Sequence, residues 1–140
     1  MTETDLNALE ETSPRRTILI VDDQEEICEL FAEILAAEGF ETLTAPNGYA
    51  ALETVRNRPV DLVLCDLVMP EKEGLETIQQ LRQTHPSMKV VAVSGAFGGS
   101  FLRAARLLGA SATLPKPVSA EDLVKTVRDV LGGSNPEACN

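Results

Sequence analysis

The chain has no tryptophan, one tyrosine, four phenylalanines and a single histidine among its 140 residues. With aromatics at 4%, it lacks the stacking surface that single-stranded nucleic acid or a sugar ring needs. Positive charge is scarce as well. Twelve Lys and Arg stand against 22 Asp and Glu, a formal net charge of −10. Such a surface repels a phosphate backbone and an anionic membrane, so neither nucleic acid nor membrane is expected as a partner. No apolar run approaches the ~18 residues of a membrane span. The opening MTETDLNALE has neither the basic start nor the apolar stretch of a secretory signal. Three cysteines, Cys28, Cys65 and Cys139, are too few and too scattered for a disulfide framework, and no CxxC pair offers a structural zinc site. Their odd count suits a reducing compartment, so the cytoplasm is the expected location.

What the chain does have is an ordinary globular composition, 44% apolar and 24% charged, over a length that fits one domain with its own core. Residues 1–15 start acidic and run through Thr-Ser-Pro, and residues 132–140 read GGSNPEACN. Both are expected to be flexible tails around a domain at 16–131.

Within 16–131 two periods alternate. Ile18-Leu19-Ile20-Val21 is a short continuous apolar run, as in a strand buried on both faces. Ile27, Leu30, Phe31, Ile34 and Leu35 follow at helical spacing, and Gly39 ends that helix. Thr42-Leu43-Thr44 gives a second strand. Asn47-Gly48 then turns into a helix with Ala51, Leu52 and Val55, which stops before Pro59. Leu62-Val63-Leu64-Cys65 and Val90-Val91-Ala92-Val93 are the third and fourth strands, with Leu75, Ile78 and Leu81 marking the helix between them. Leu102, Ala105, Arg106 and Leu108 sit on a fourth helix ended by Gly109. Ala112-Thr113-Leu114 is a weaker fifth strand, and Ser119 caps a last helix carrying Leu123, Val127, Val130 and Leu131. Five strand–helix alternations predict an α/β fold, a doubly wound parallel sheet with helices on both faces. Right-handed crossovers favour the strand order 2-1-3-4-5.

In such a sheet ligands sit at the carboxyl ends of the strands. The first strand ends in Asp22-Asp23, the third in Asp66 and the fourth in Ser94, and Lys116 lies just beyond the fifth, between Pro115 and Pro117. Three crowded carboxylates repel one another unless a cation joins them. Oxygen ligands with retained waters suit Mg²⁺. A metal-bound Asp66 can attack a phosphoryl group, with Mg²⁺, Lys116 and the Ser94 hydroxyl available to its oxygens. Taken singly, each residue has a plainer reading. Asp22-Asp23 could cap a helix, Asp66 a loop, Ser94 could form a turn, and Lys116 could be a solvated surface lysine. Their joint occurrence at four strand ends favours a built site.

These residues carry a resemblance. The chain resembles the receiver domain of two-component response regulators from about Arg16 to about Leu131. The matching motifs are Val21-Asp22-Asp23, Asp66-Leu67-Val68-Met69-Pro70 with Gly74, Val93-Ser94-Gly95, and Gly109-Ala110 leading to Lys116-Pro117. The resemblance implies a flavodoxin-like (βα)5 sheet and a regulatory phosphoacceptor rather than an enzyme acting on outside substrates. It implies Asp66 as the acceptor, with Mg²⁺ on Asp23, Asp66 and the Val68 carbonyl, and Asp22 acting through water. It also places Ser94 and Lys116 on the phosphoryl group and makes a cis Lys116-Pro117 bond the expected form. A sensor histidine kinase or a histidine phosphotransfer protein would be the donor. A downstream protein partner would dock on the fourth helix, fifth strand and fifth helix. With 15 residues left before this domain and nine after it, a stand-alone regulator, relay intermediate or phosphate sink is the expected form.

Three positions depart from the family pattern. Thr113 stands where Tyr or Phe is usual, Glu71-Lys72-Glu73 makes the loop after Pro70 unusually charged, and Gly95 replaces the usual Ala. A mobile loop is expected over Gly95 to Ser100. Competing readings are a pseudo-receiver that only docks, a Mg²⁺-dependent phosphohydrolase with an aspartyl nucleophile, and a flavin carrier. The phosphohydrolase needs a second Asp where Val68 stands, and the Asp-Asp-Gln-Glu-Glu loop would repel a flavin phosphate. Charge is uneven too. Asp22, Asp23, Glu25, Glu26, Glu29, Glu33, Glu38 and Glu41 fall in a stretch with no base, while Arg103, Arg106, Lys116, Lys125 and Arg128 outnumber Glu121, Asp122 and Asp129 toward the C-terminus.

Overall fold

The computed structural model describes residues 15–67, 74–95 and 100–132. The expectations for residues 1–14 and 133–140, for the 68–73 loop with Val68, for the 96–99 segment and for Cys139 fall outside the described residues.

Strands and helices alternate along the chain: β1 (Thr17–Val21), α1 (Glu25–Ala37), β2 (Glu41–Ala45), α2 (Gly48–Asn57), β3 (Leu62–Asp66), α3 (Gly74–Thr84), β4 (Lys89–Ser94), α4 (Ser100–Leu107), β5 (Ala112–Pro115) and α5 (Ala120–Leu131). The strands form one sheet in the order β2-β1-β3-β4-β5, and every neighbouring pair is parallel. This is the expected α/β doubly wound topology.

The continuous apolar runs have a direct cause. Side chains on successive strand residues point to opposite faces, and here both faces are covered. Leu19, Val21, Val63, Cys65, Val90 and Ala92 pack against Ala51 and Val55 of α2, Ile78 and Leu81 of α3, and Ala105 of α4. Their neighbours Ile18, Ile20, Leu62, Leu64, Val91 and Val93 pack against Cys28, Phe31 and Leu35 of α1 and Leu123 and Val127 of α5. Leu30, which periodicity groups with these, is half exposed at 49%, because it stands one position round the helix from buried Phe31.

Local signals hold the element ends. Asn47 Oδ1 accepts from Ala50 N at 2.9 Å and Ser119 Oγ from Asp122 N at 3.0 Å, capping α2 and α5. Gly39, at φ +97°, takes the left-handed conformation that ends α1. Asp61 Oδ2 accepts from Thr17 N at 2.8 Å and so ties the start of β1 to the segment leading into β3.

Candidate functional site

The β1–β3 register pairs Val21 with Cys65, so the next residue on each chain, Asp22 and Asp66, comes level at the carboxyl rim. Asp22, Asp23 and Asp66 each place a carboxylate oxygen within 4.8 Å of the others. Asp22 and Asp66 are 4% and 7% exposed, whereas Asp23 faces solvent.

Asp22 is held at every polar atom. Its backbone N–H donates to the Ala45 carbonyl at 3.1 Å, fixing it to the end of β2. Its Oδ1 accepts from Gln24 N at 2.9 Å. Its carbonyl accepts from the Cys28 thiol at 3.4 Å. Its Oδ2 accepts from Lys116 Nζ at 3.1 Å. The capping reading and the site reading of Asp22 therefore hold together: one oxygen serves the entry to α1, where Gln24 offers no side-chain cap, and the other faces the site.

Ser94 and Lys116 come from the other side of β3. Ser94 ends β4, is buried, and is paired in register with Pro115. Its carbonyl accepts from Lys116 N at 3.0 Å, which seats Lys116 beside the end of β4. The Lys116–Pro117 peptide is cis. From there Lys116 Nζ reaches Asp22 at 3.1 Å and Asp66 at 3.7 Å. Three carboxylates against one ammonium leave two negative charges to neutralise. The donors are all hard oxygens. That set fits a small divalent cation such as Mg²⁺.

Two glycines stand at points of close approach, and at Gly74 the approach leaves no room for a side chain. A Cβ on Gly74 would stand 2.2 Å from the Asp66 carbonyl oxygen and 2.4 Å from Leu67 Cα. Gly74 N also donates to the Leu67 carbonyl at 2.9 Å, so the start of α3 lies directly against the chain leaving β3. A Cβ on Gly95 would stand 3.0 Å from Lys116 Cβ, so glycine here leaves room for the lysine stem.

The two described cysteines are buried and free. Burial, then the Asp22 charge, pushes the Cys28 thiol up to about 11. Burial, then the Asp66 charge, pushes Cys65 up as well. Both are neutral small hydrophobes at neutral pH. Cys28 also lines a cleft of about 310 Å³ beside the site, with Asp22, Asp23, Glu25, Thr44, Ala45 and Pro46. The contacts of Asp22 with the Ala45 carbonyl and the Cys28 thiol are not read from the sequence, since neither Ala45 nor a core cysteine carries a signal of its own.

The family model for the response regulator receiver domain matches residues 18–128. The chain belongs to this family. Among curated relatives, the transcriptional regulatory protein CpxR of Klebsiella pneumoniae is 40% identical over 119 residues, covering 84% of this chain and 50% of the relative. The chain thus spans about half the length of these curated relatives. Among solved structures, a CheY-like receiver domain protein from Methanospirillum hungatei JF-1 matches with a TM-score of 0.83 at 30% identity, covering 89% of this chain and 99% of that one. The receiver domain of NtrX from Brucella abortus matches with a TM-score of 0.78 at 33% identity, covering 81% and 97%.

As a receiver domain this chain is a regulatory module of two-component signalling, and its acidic pocket is a site that could hold a metal ion. Thr113 lies on β5, half-buried and paired in register with Ala92, at the place where the family resemblance expects an aromatic ring. On α4, Arg103 and Arg106 are exposed and Leu107 is 89% exposed. No helix among the described residues is long and apolar enough to cross a membrane.

Proposed function

We propose that residues 16–131 act as a phospho-receiver unit that takes a phosphoryl group onto Asp66 from a phosphohistidine. The donor is a sensor histidine kinase or a histidine phosphotransfer protein, and the setting is the cytoplasm. The observation that carries this reading is the convergence of Asp22, Asp23, Asp66 and Lys116 at one rim, with Asp66 at the end of the central strand. An Asp66 carboxylate oxygen forms the new bond to phosphorus as the bond from phosphorus to the donor's imidazole nitrogen breaks. Lys116 stands 3.7 Å from Asp66 Oδ1, placed to meet a phosphoryl oxygen as charge builds on it. Ser94 supplies a hydroxyl at the end of the neighbouring strand. Mg²⁺ held by Asp23, Asp66 and the Val68 carbonyl, with Asp22 acting through water, would neutralise the phosphoryl oxygens.

The donor approaches over α1 and the rim loops. The signal passes to a downstream protein on α4, β5 and α5, where exposed Arg103, Arg106 and Leu107 supply charge and apolar surface. The unit turns over only its own phosphoryl group. Incubation with acetyl phosphate and Mg²⁺, followed by intact mass, tests the reading. One phosphoryl group is expected on the native chain and none on Asp66→Asn. Equal labelling of both would overturn the assignment of Asp66.

A further inference from the structure

The two edges of the sheet differ. β5 contains Pro115, which has no N–H to offer, and Pro117 follows closely. β2, with the sequence Glu-Thr-Leu-Thr-Ala, has no proline or lysine within its span, and Pro46 follows only after its last residue. Its hydrogen-bond phase is fixed by two bonds at its ends. Glu41 N donates to the Arg16 carbonyl at 3.0 Å, and the Ala45 carbonyl accepts from Asp22 N at 3.1 Å. With Glu41 opposite Thr17 in a parallel ladder, Glu41, Leu43 and Ala45 turn their backbone groups toward β1. Thr42 and Thr44 therefore turn theirs outward, and these N–H and C=O groups meet no partner among the described residues. A groove of about 650 Å³ lies along this edge, between Thr42, Leu43 and Thr44 on one side and Ala50, Glu53 and Arg58 on the other.

The edge is self-complementary. Laid antiparallel on a second β2 about a two-fold axis at Leu43, it sets Thr42 opposite Thr44 on both sides of the axis. Each such pair exchanges two N–H···O=C bonds, and Leu43 meets Leu43 in the closer, non-hydrogen-bonded position. Thr–Thr and aliphatic cross-strand pairs are favourable, and Glu41 falls opposite Ala45 rather than opposite another acid. We propose that this edge is the contact between two copies of the chain, β2 pairing antiparallel with β2 in register about Leu43. The pairing joins two five-stranded sheets into one continuous sheet. A contact of five residues per copy is small, and each copy carries a charge of −10, so the dimer is transient and strengthens as salt screens the repulsion.

Sedimentation velocity over a concentration series in 0.15 M and 0.5 M salt tests this, with Thr44→Pro as the probe. The Thr44 N–H points outward, so proline there removes no bond within the fold, yet it takes two of the dimer's four donors. Circular dichroism and thermal unfolding check that the variant stays folded. The native chain is expected to show a concentration-dependent dimer, tighter at the higher salt, with Thr44→Pro associating at least roughly tenfold more weakly. Independently, Leu43→Cys in a Cys139→Ser background should form an intermolecular disulfide under mild oxidation. A non-hydrogen-bonded antiparallel pair brings its Cα atoms to about 4.5 Å, within the range a disulfide spans. A monomer at every concentration would overturn the pairing. A dimer that Thr44→Pro leaves intact and Leu43→Cys does not trap would overturn it equally.

Discussion

Lys116 Nζ lies 3.1 Å from Oδ2 of Asp22, closer than its 3.7 Å approach to Asp66, the residue it is expected to serve. Asp22 is almost wholly buried, so the lysine offsets a charge that has little water around it. Lys116→Ala is therefore expected to destabilise the metal-free domain by about 1–3 kcal/mol, a partly exposed lysine giving less than a fully buried one. Added Mg²⁺ should restore more stability to the variant than it adds to the native chain. Urea unfolding with and without Mg²⁺ measures both.

Asp23 is the exposed member of the carboxylate group. Asp23→Ala removes one of the proposed metal ligands and one negative charge together. Mg²⁺ affinity should fall severalfold, while the metal-free domain gains up to about 1 kcal/mol as repulsion is relieved. Calorimetric titration and thermal unfolding separate the two effects. Unchanged Mg²⁺ affinity would place the metal elsewhere.

Gly74 has no room for a methyl group, with backbone atoms of Asp66 and Leu67 at 2.2 and 2.4 Å from where it would stand. Backbone cannot yield as a flexible side chain does. Gly74→Ala is expected to cost at least about 2 kcal/mol and to slow acceptance of a phosphoryl group by displacing Asp66. Denaturant midpoints and the intact-mass assay report the two losses. The control is Gly39→Ala, which meets no neighbouring atom and strains only its own backbone at φ +97°.

The thiol of Cys28 stays protonated up to about 11 in the folded domain, whereas an unfolded cysteine ionises near about 8.5. Its folded-state value is raised, so its contribution is intact below the unfolded value and declines as pH rises toward about 11. Cys65 is shifted in the same direction. Folding stability should therefore fall across that window, and fall less steeply in Cys28→Ala. At neutral pH, iodoacetamide should spare both residues in the native protein and label them once it is unfolded.

Much of this was legible in the sequence because one rule generated it. A strand buried on both faces must be apolar throughout, so Ile18–Val21, Leu62–Cys65 and Val90–Val93 stand out, and the polar residue after each run marks the rim. β2 was weaker in the sequence because an edge strand needs no such run, and its bounds extend one residue beyond Thr42 and Thr44 at either end. Which carboxylate Lys116 approaches more closely was not legible. That choice depends on ångström-scale positions set by the Ser94–Lys116 backbone bond and by the absence of a side chain at Gly95. The tightness at Gly74 was equally hidden, since a glycine at the start of a helix looks the same whether or not a backbone crosses it. Thr113 was legible as a departure, and its half-buried place on β5 confirms only where it stands.

The level placement of Asp22 and Asp66 has a consequence for how such a domain can vary. Adjacent strands are spaced by their hydrogen bonds, at about 4.8 Å, whatever side chains they carry. The spacing of the two aspartate backbones is thus ruled off by the peptide ladder that pairs Val21 with Cys65, and not by the packing of either core. Both layers of apolar side chains can drift, trade volume and change the melting temperature while the ruler between the acids keeps its length.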